Sequence, residues 1–170
     1  IINNSKLWIQ VNAKFILIEA GSRHNLLLEL SKKLSLTKVF FEFLPPTNYN
    51  KLSATLSATD LSIVALDMSS KNSSLPSKTF SSLACGTPIL AIAPSDSSLA
   101  RLIKRYNCGF IVEPSQTAHH EIYSLVKHLL NDRSLLNTLS VNSYLASKDF
   151  TSDNARHLVD VLLNQDANAL

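Results

Sequence analysis

Residues 60–114 carry four short signatures in fixed order: Asp60-Leu61-Ser62-Ile63-Val64, then Pro76-Ser77-Lys78, then Leu83-Ala84-Cys85-Gly86-Thr87-Pro88-Ile89-Leu90, and finally Cys108-Gly109-Phe110-Ile111-Val112-Glu113-Pro114. Leu61 to Leu66, Pro88 to Ala93 and Phe110 to Val112 are apolar almost without interruption, as strands covered on both faces are. Between the first two of these runs, Pro76 and Ser77 act as stop and cap for a helix over Lys78 to Cys85, and Gly86 is suited to the left-handed residue that ends it. Gly86, Thr87 and Pro88 then make the tight turn from helix to strand. Ser97 or Ser98 begins another helix, which ends near Tyr106, and Gly109 releases the chain into the last strand.

The same alternation extends outward. Lys14 to Glu19 and Val39 to Phe43 read as two earlier strands. Ser22 is placed to cap a helix running to about Leu34, with Leu26, Leu27, Leu30 and Leu34 on one stripe, and Tyr49 to about Ala58 forms the next. After Pro114 the pattern is helical only, with stripes at Leu125, Leu129 and Leu130, at Leu135, Leu136 and Leu139, and at Leu158, Val161 and Leu162. Strand and helix in alternation specify an α/β fold, a Rossmann-like three-layer sandwich with a mostly parallel sheet and C-terminal helices, occupying residues 1–170 as a single domain.

Composition narrows the function classes. Hydrophobic residues make up 45% of the chain and charged residues 17%, below the roughly 25% charged of an average globular protein, so the chain buries a core rather than remaining disordered. No apolar run approaches the ~20 residues of a membrane helix, and the chain reads as soluble and cytoplasmic. A net charge of +3 without a clustered patch argues against nucleic acid, and Arg101, Lys104 and Arg105 read as one exposed helix face. Cys85 and Cys108 lack the spacing of a disulfide framework or zinc site and read as two buried thiols. His119 and His120 are adjacent, so on a helix they diverge by about 100°. Met68 is the one methionine and the sequence opens on Ile1, which reads as a fragment of something longer.

The chemistry concentrates between Asp67 and Ser81. A polar loop with Ser69, Ser70, Asn72, Ser73 and Ser74 follows a strand at its carboxyl end, where open α/β sheets hold ligands. It leads to a helix start bearing Ser77, Lys78 and Thr79. Unpaired amides and about half a positive charge at such a helix end suit a diphosphate. Lys78 adds a point charge and the hydroxyls of Ser77 and Thr79 can donate to phosphate oxygens, so a leaving group could be neutralised without a metal. The plainer alternative is that Ser77 caps the helix and Lys78 is solvated.

Taken together, the four signatures resemble the donor-binding C-terminal domain of GT-B glycosyltransferases, closest to glycosyltransferase family 4 (group 1). The resemblance implies the C-terminal half of a two-domain enzyme that transfers sugar from a nucleotide-diphosphate donor to a polysaccharide or glycolipid acceptor. It implies that Ser77, Lys78, Thr79 and Gly21 contact the diphosphate, that Ser81, Ser73 and Ser74 lie at the ribose and sugar, and that the reaction needs no cofactor and no metal. The N-terminal acceptor domain would be a missing partner, so this chain alone would be inactive. Apolar surface on the last helices, including Ser152 to Leu163, would face that domain or a second copy in a homodimer. The full-length enzyme would work in the cytoplasm, with peripheral association at the inner face of the membrane.

Three departures from the family pattern point to an alternative. Two glutamates eight positions apart are common in family 4, and here those positions are Ser73 and Ser81. The early glycine-rich turn reads Glu19-Ala20-Gly21, which sets a carboxylate where a phosphate would approach. The family's first strand would precede Ile1, unless Leu7 to Val11 substitutes for it. A degenerate, non-catalytic scaffold or partner-binding domain is the second reading. A sugar-nucleotide epimerase of the same architecture would need an acid/base cluster that the sequence does not present.

Overall fold

A computed structural model describes residues 11–18, 24–33, 41–46, 48–66, 75–154, 156, 159 and 160. Its elements run β1 (Phe15–Ile18), α1 (His24–Lys33), β2 (Phe41–Leu44), α2 (Tyr49–Ser57), β3 (Ser62–Ala65), α3 (Ser77–Ala84), β4 (Ile89–Ile92), α4 (Ser98–Tyr106), β5 (Gly109–Val112), α5 (Ala118–Asn131) and α6 (Arg133–Ser147). Every strand and helix expected within the described residues is present, displaced by a residue or two at its ends. Residues 152–154 are helical, while most of the helix expected over Ser152 to Leu163 lies outside the described residues.

All described strand pairings are parallel, in two groups: β1 beside β2, and β3-β4-β5 with β4 central. The sequence suggests one sheet. Among the described residues no ladder joins β1 to β3, and the two groups are united by side-chain packing instead. Val11 and Phe15 before and on β1, Phe41 on β2, and Leu61, Ile63, Leu90 and Phe110 gather in one cluster under Ala118 and Ile122 of α5.

The pleat explains the unbroken apolar runs. Successive side chains of a strand point to opposite faces. Val64, Ile89, Ala91 and Ile111 therefore join Leu83 of α3, Leu99, Leu102 and Ile103 of α4 and Ala146 of α6. Ile63, Leu90, Ile92, Phe110 and Val112 turn to the opposite side, against α5. Two apolar layers flank one sheet, which is the three-layer sandwich. Fully burying a Leu or Ile contributes roughly 1.5–3 kcal/mol, and Leu83, Ile89, Leu90 and Leu99 are all fully enclosed.

Helix ends and turns are secured by polar side chains. Ser97 caps α4, its Oγ accepting from Ala100 N at 3.1 Å. Asn107, at φ 46°, is the left-handed residue that ends α4. Gly86 takes φ +67° as expected. The α6 helix then reaches two turns with three bonds: Ser140 Oγ donates to Gly86 O (2.7 Å), Asn142 Nδ2 to Asn107 O (2.9 Å) and Ser143 Oγ to Cys108 O (3.3 Å). These bonds hold the turns that feed β4 and β5, fixing where both strands begin. Arg101 and Lys104 of α4 are exposed as expected, and each donates to a carbonyl of the loop after β4, at Asp96 (2.6 Å) and Ser95 (3.0 Å).

Two sequence expectations need correction here. Cys108 is buried, and burial pushes its thiol up to about 11, but Cys85 is only half-buried at the end of α3. The His119 and His120 rings do not diverge: their centroids lie 4.0 Å apart, because side-chain torsions bring together rings whose Cα–Cβ bonds point apart.

Candidate donor-binding site

The carboxyl end of β3 leads through residues outside the described set to α3, whose first turn is the centre of the candidate site. Three hydrogen bonds fix α3 and the turn that follows it. Ser82, fully buried on its inner face, donates from Oγ to Ser62 Oγ at the start of β3 (2.8 Å). Thr87 N closes the far turn on Ser82 O (2.9 Å), and the Thr87 hydroxyl donates to Leu56 O at the end of α2 (2.8 Å).

At the opposite end the helix is open. Pro76, not Ser77, is the N-cap, and among the described residues no side chain caps the helix. The plainer sequence reading, in which Ser77 caps α3, is therefore incorrect: Ser77 is the first helical residue, because proline with its φ near −65° already terminates the preceding segment. Thr79 N is spent on Pro76 O at 2.9 Å. Ser77 and Lys78 are both exposed at this end. An N-terminus without a side-chain cap, carrying an exposed ammonium one residue in, is suited to an anion.

Thr79 differs from its neighbours. Its side chain is fully enclosed, and Oγ1 has no hydrogen-bond partner among the described residues. The sequence groups it with Ser77 and Lys78 as a residue facing phosphate, whereas α3 geometry turns Thr79, Ser82 and Leu83 inward. An orphaned buried hydroxyl costs about 1–3 kcal/mol, so the near-isosteric Thr79→Val is expected to raise the melting temperature of the ligand-free chain. The shift corresponds to about 1 kcal/mol or more, and a thermal melt reads it directly.

Ser81 is half-buried on α3, within the same helix as Ser77 and Lys78 but one turn further on. Gly21, Ser73 and Ser74 lie outside the described residues, as do Glu19 and the polar loop from Ser69 to Ser74. The sequence marks Glu113 only as part of a signature. It accepts from Ser95 N at 3.0 Å, tying the end of β5 to the loop after β4, and its hydrogen bonds to Ser95 hold the carboxyl below the usual range. Nothing local in the sequence marks that pairing.

Two cavities flank α3 without opening at its first turn. One, of about 260 Å³, lies against α6 and is lined by Phe80, Leu83, Tyr144, Lys148 and Phe150 among others. The other, about 190 Å³, lies at the amino-terminal side of the sheet between Asp60, Cys85, Gly86, Arg133 and Ser140. There Arg133 Nη1 pairs with Asp60 Oδ1 at 2.6 Å. Among the described residues no three His, Cys, Asp or Glu side chains stand together in a metal-holding group, and no helix is long and apolar enough to cross a membrane.

The comparisons with known proteins agree with this architecture. Sucrose-phosphate synthase from Thermosynechococcus elongatus superposes with a TM-score of 0.74 at 19% identity, over 99% of this chain and 42% of that one. HepE from Anabaena in complex with UDP-glucose matches at 0.73 and 16% identity, over 95% of this chain and 44% of that one. Its complex with UDP and glucose gives 0.72 and 17%, over 95% and 43%. The chain thus spans less than half the length of these structures, and the likeness shows a shared fold, the Rossmann-like half of a GT-B protein. No curated protein matches the sequence. The family model for glycosyl transferases group 1 matches residues 3–145, which is most of the chain, and the chain therefore belongs to the group 1 glycosyl transferases.

Proposed function

We propose that this chain is the donor-binding domain of a family 4 type glycosyltransferase, holding the diphosphate of a nucleotide sugar at the first turn of α3 for transfer to a polysaccharide or glycolipid acceptor. The observation that carries the reading is the uncapped N-terminus of α3, with Ser77 and Lys78 exposed on it. The helix end and the Lys78 ammonium would take up the negative charge that develops on the departing nucleoside diphosphate, without a metal. The UDP-glucose in the Anabaena complex supports a nucleotide sugar as the ligand class. An acceptor-binding portion outside this chain would complete the enzyme, so the domain alone binds donor and transfers nothing.

Ser81 favours a second reading, the non-catalytic scaffold, because a neutral hydroxyl stands where the family resemblance leads one to expect a carboxylate for the ribose. Thermal melting with millimolar UDP, GDP or ADP separates the two. A nucleotide at about ten times its Kd adds about 1.4 kcal/mol, which for a domain of this size raises the melting temperature by roughly 3–6 °C. The donor reading expects that rise for one nucleotide without magnesium. No rise with any nucleotide on the full-length protein would establish the scaffold.

A further inference from the structure

The faces of α3 have different surroundings. Thr79, Ser82 and Leu83 are buried toward the sheet, and Phe80 and Ala84 line the cavity beside α6. Ser81 belongs to neither set. It follows Ser77 by four residues and Lys78 by three, spacings that bring side chains of a helix onto a common face, and it is half-buried where those two are exposed.

On the donor reading above, on which this inference rests, the diphosphate sits at the first turn of α3. The ribose is joined directly to that diphosphate, so it falls within roughly one helical turn, about 5 Å, of it. Ser81 is the outward polar side chain one turn along. In dinucleotide-binding α/β folds, selection for ribose comes from a carboxylate on its 2′-hydroxyl. No residue from Ser77 to Ala84 is acidic. At Ser81 the 2′-hydroxyl meets another neutral hydroxyl and no charge. Losing a neutral hydrogen bond changes a binding constant by about two- to twelvefold, whereas losing one to a charged group changes it by about tenfold to a hundredfold.

We infer that Ser81 relaxes the pentose specificity of this site, so that nucleoside diphosphates of 2′-deoxyribose bind nearly as well as those of ribose. The ligand class is then set by the diphosphate, which Ser77, Lys78 and the helix end meet, and sugars carried on a deoxyribonucleotide become donors. A neutral residue at this position is thereby a specificity determinant of a working site rather than the mark of a lost one.

The test is isothermal titration calorimetry of the full-length protein with UDP, GDP and ADP, each beside its 2′-deoxy counterpart. For the base that binds, the ribo form is expected to be less than about tenfold tighter than the deoxy form. Ser81→Glu should widen that ratio by about tenfold or more, because the new carboxylate accepts from the 2′-hydroxyl. Its repulsion of the diphosphate weakens both forms alike and cancels in the ratio. A parent ratio above about thirtyfold places a charged group from outside α3 on the ribose and overturns the inference, and this measurement decides the point even where Ser81→Glu does not fold. A ratio that Ser81→Glu leaves unchanged, in protein folded by circular dichroism, removes Ser81 from the ribose and overturns it too. If neither form of any nucleotide binds, the donor reading itself fails and the inference falls with it, a result distinct from the other two.

Discussion

Replacing Gly109 by alanine is expected to abolish cooperative folding. In the β4–β5 ladder Gly109 stands opposite Ile89, and a Cβ on it would lie 2.7 Å from the Ile89 carbonyl carbon and 2.8 Å from its nitrogen, closer still to the carbonyl oxygen. The obstacle is backbone of the central strand, which has no rotamer by which to yield. Moving β5 outward would break Ile89 N to Cys108 O (3.0 Å) and pull against Asn142 and Ser143, which hold Asn107 O and Cys108 O. The cost should exceed about 4 kcal/mol, against a total stability of about 5–15 kcal/mol for a domain. A contrasting substitution is Gly86→Asn. A Cβ at Gly86 meets nothing nearer than 3.5 Å, and asparagine tolerates the left-handed region, so this variant should lose about 1 kcal/mol. Thermal melts of both variants check the pair; a Gly109→Ala protein melting within a few degrees of the parent would refute the packing argument.

For Lys78→Glu, affinity for the preferred nucleoside diphosphate should fall tenfold to a hundredfold. A charge-assisted hydrogen bond contributes about 1.5–3 kcal/mol, and the new carboxylate would in addition stand against a phosphate. Lys78 is exposed on the first turn of α3, so the ligand-free melting temperature should stay close to the parent's. Isothermal titration calorimetry measures the affinity. Lys104→Glu serves as the control, because that ammonium, on α4, is committed to Ser95 O in the loop after β4. Equal affinity for the parent and Lys78→Glu would remove Lys78 from the site and leave the uncapped helix end without its cation.

Much of the architecture was legible because its causes are local. Gly86 announced a left-handed turn, Ser97 or Ser98 a helix start, and the unbroken runs around Val64, Leu90 and Ile111 announced strands buried on both faces. The order of four short signatures carried the resemblance to glycosyl transferases, and the match of the group 1 family model over residues 3–145 shows the membership. The candidate site was legible in part. Lys78 and Ser77 are where the sequence leads one to look, but the N-cap is Pro76 and the Thr79 side chain is turned into the core.

The sequence by itself determined the alternation of strand and helix, the parallel pairing and the polar helix start, since each rests on propensity, capping or periodicity over a few residues. Tertiary structure alone decided which residues of each strand face which layer, because a strand apolar on every position carries no period to read. It also decided the polar ties: Ser62 to Ser82 spans 20 residues, Cys108 to Ser143 spans 35 and Gly86 to Ser140 spans 54. The enclosure of Gly109 against Ile89 is of the same kind. Whether a serine caps, braces or meets solvent, and whether a glycine turns or makes room, depends on what distant chain folds against it.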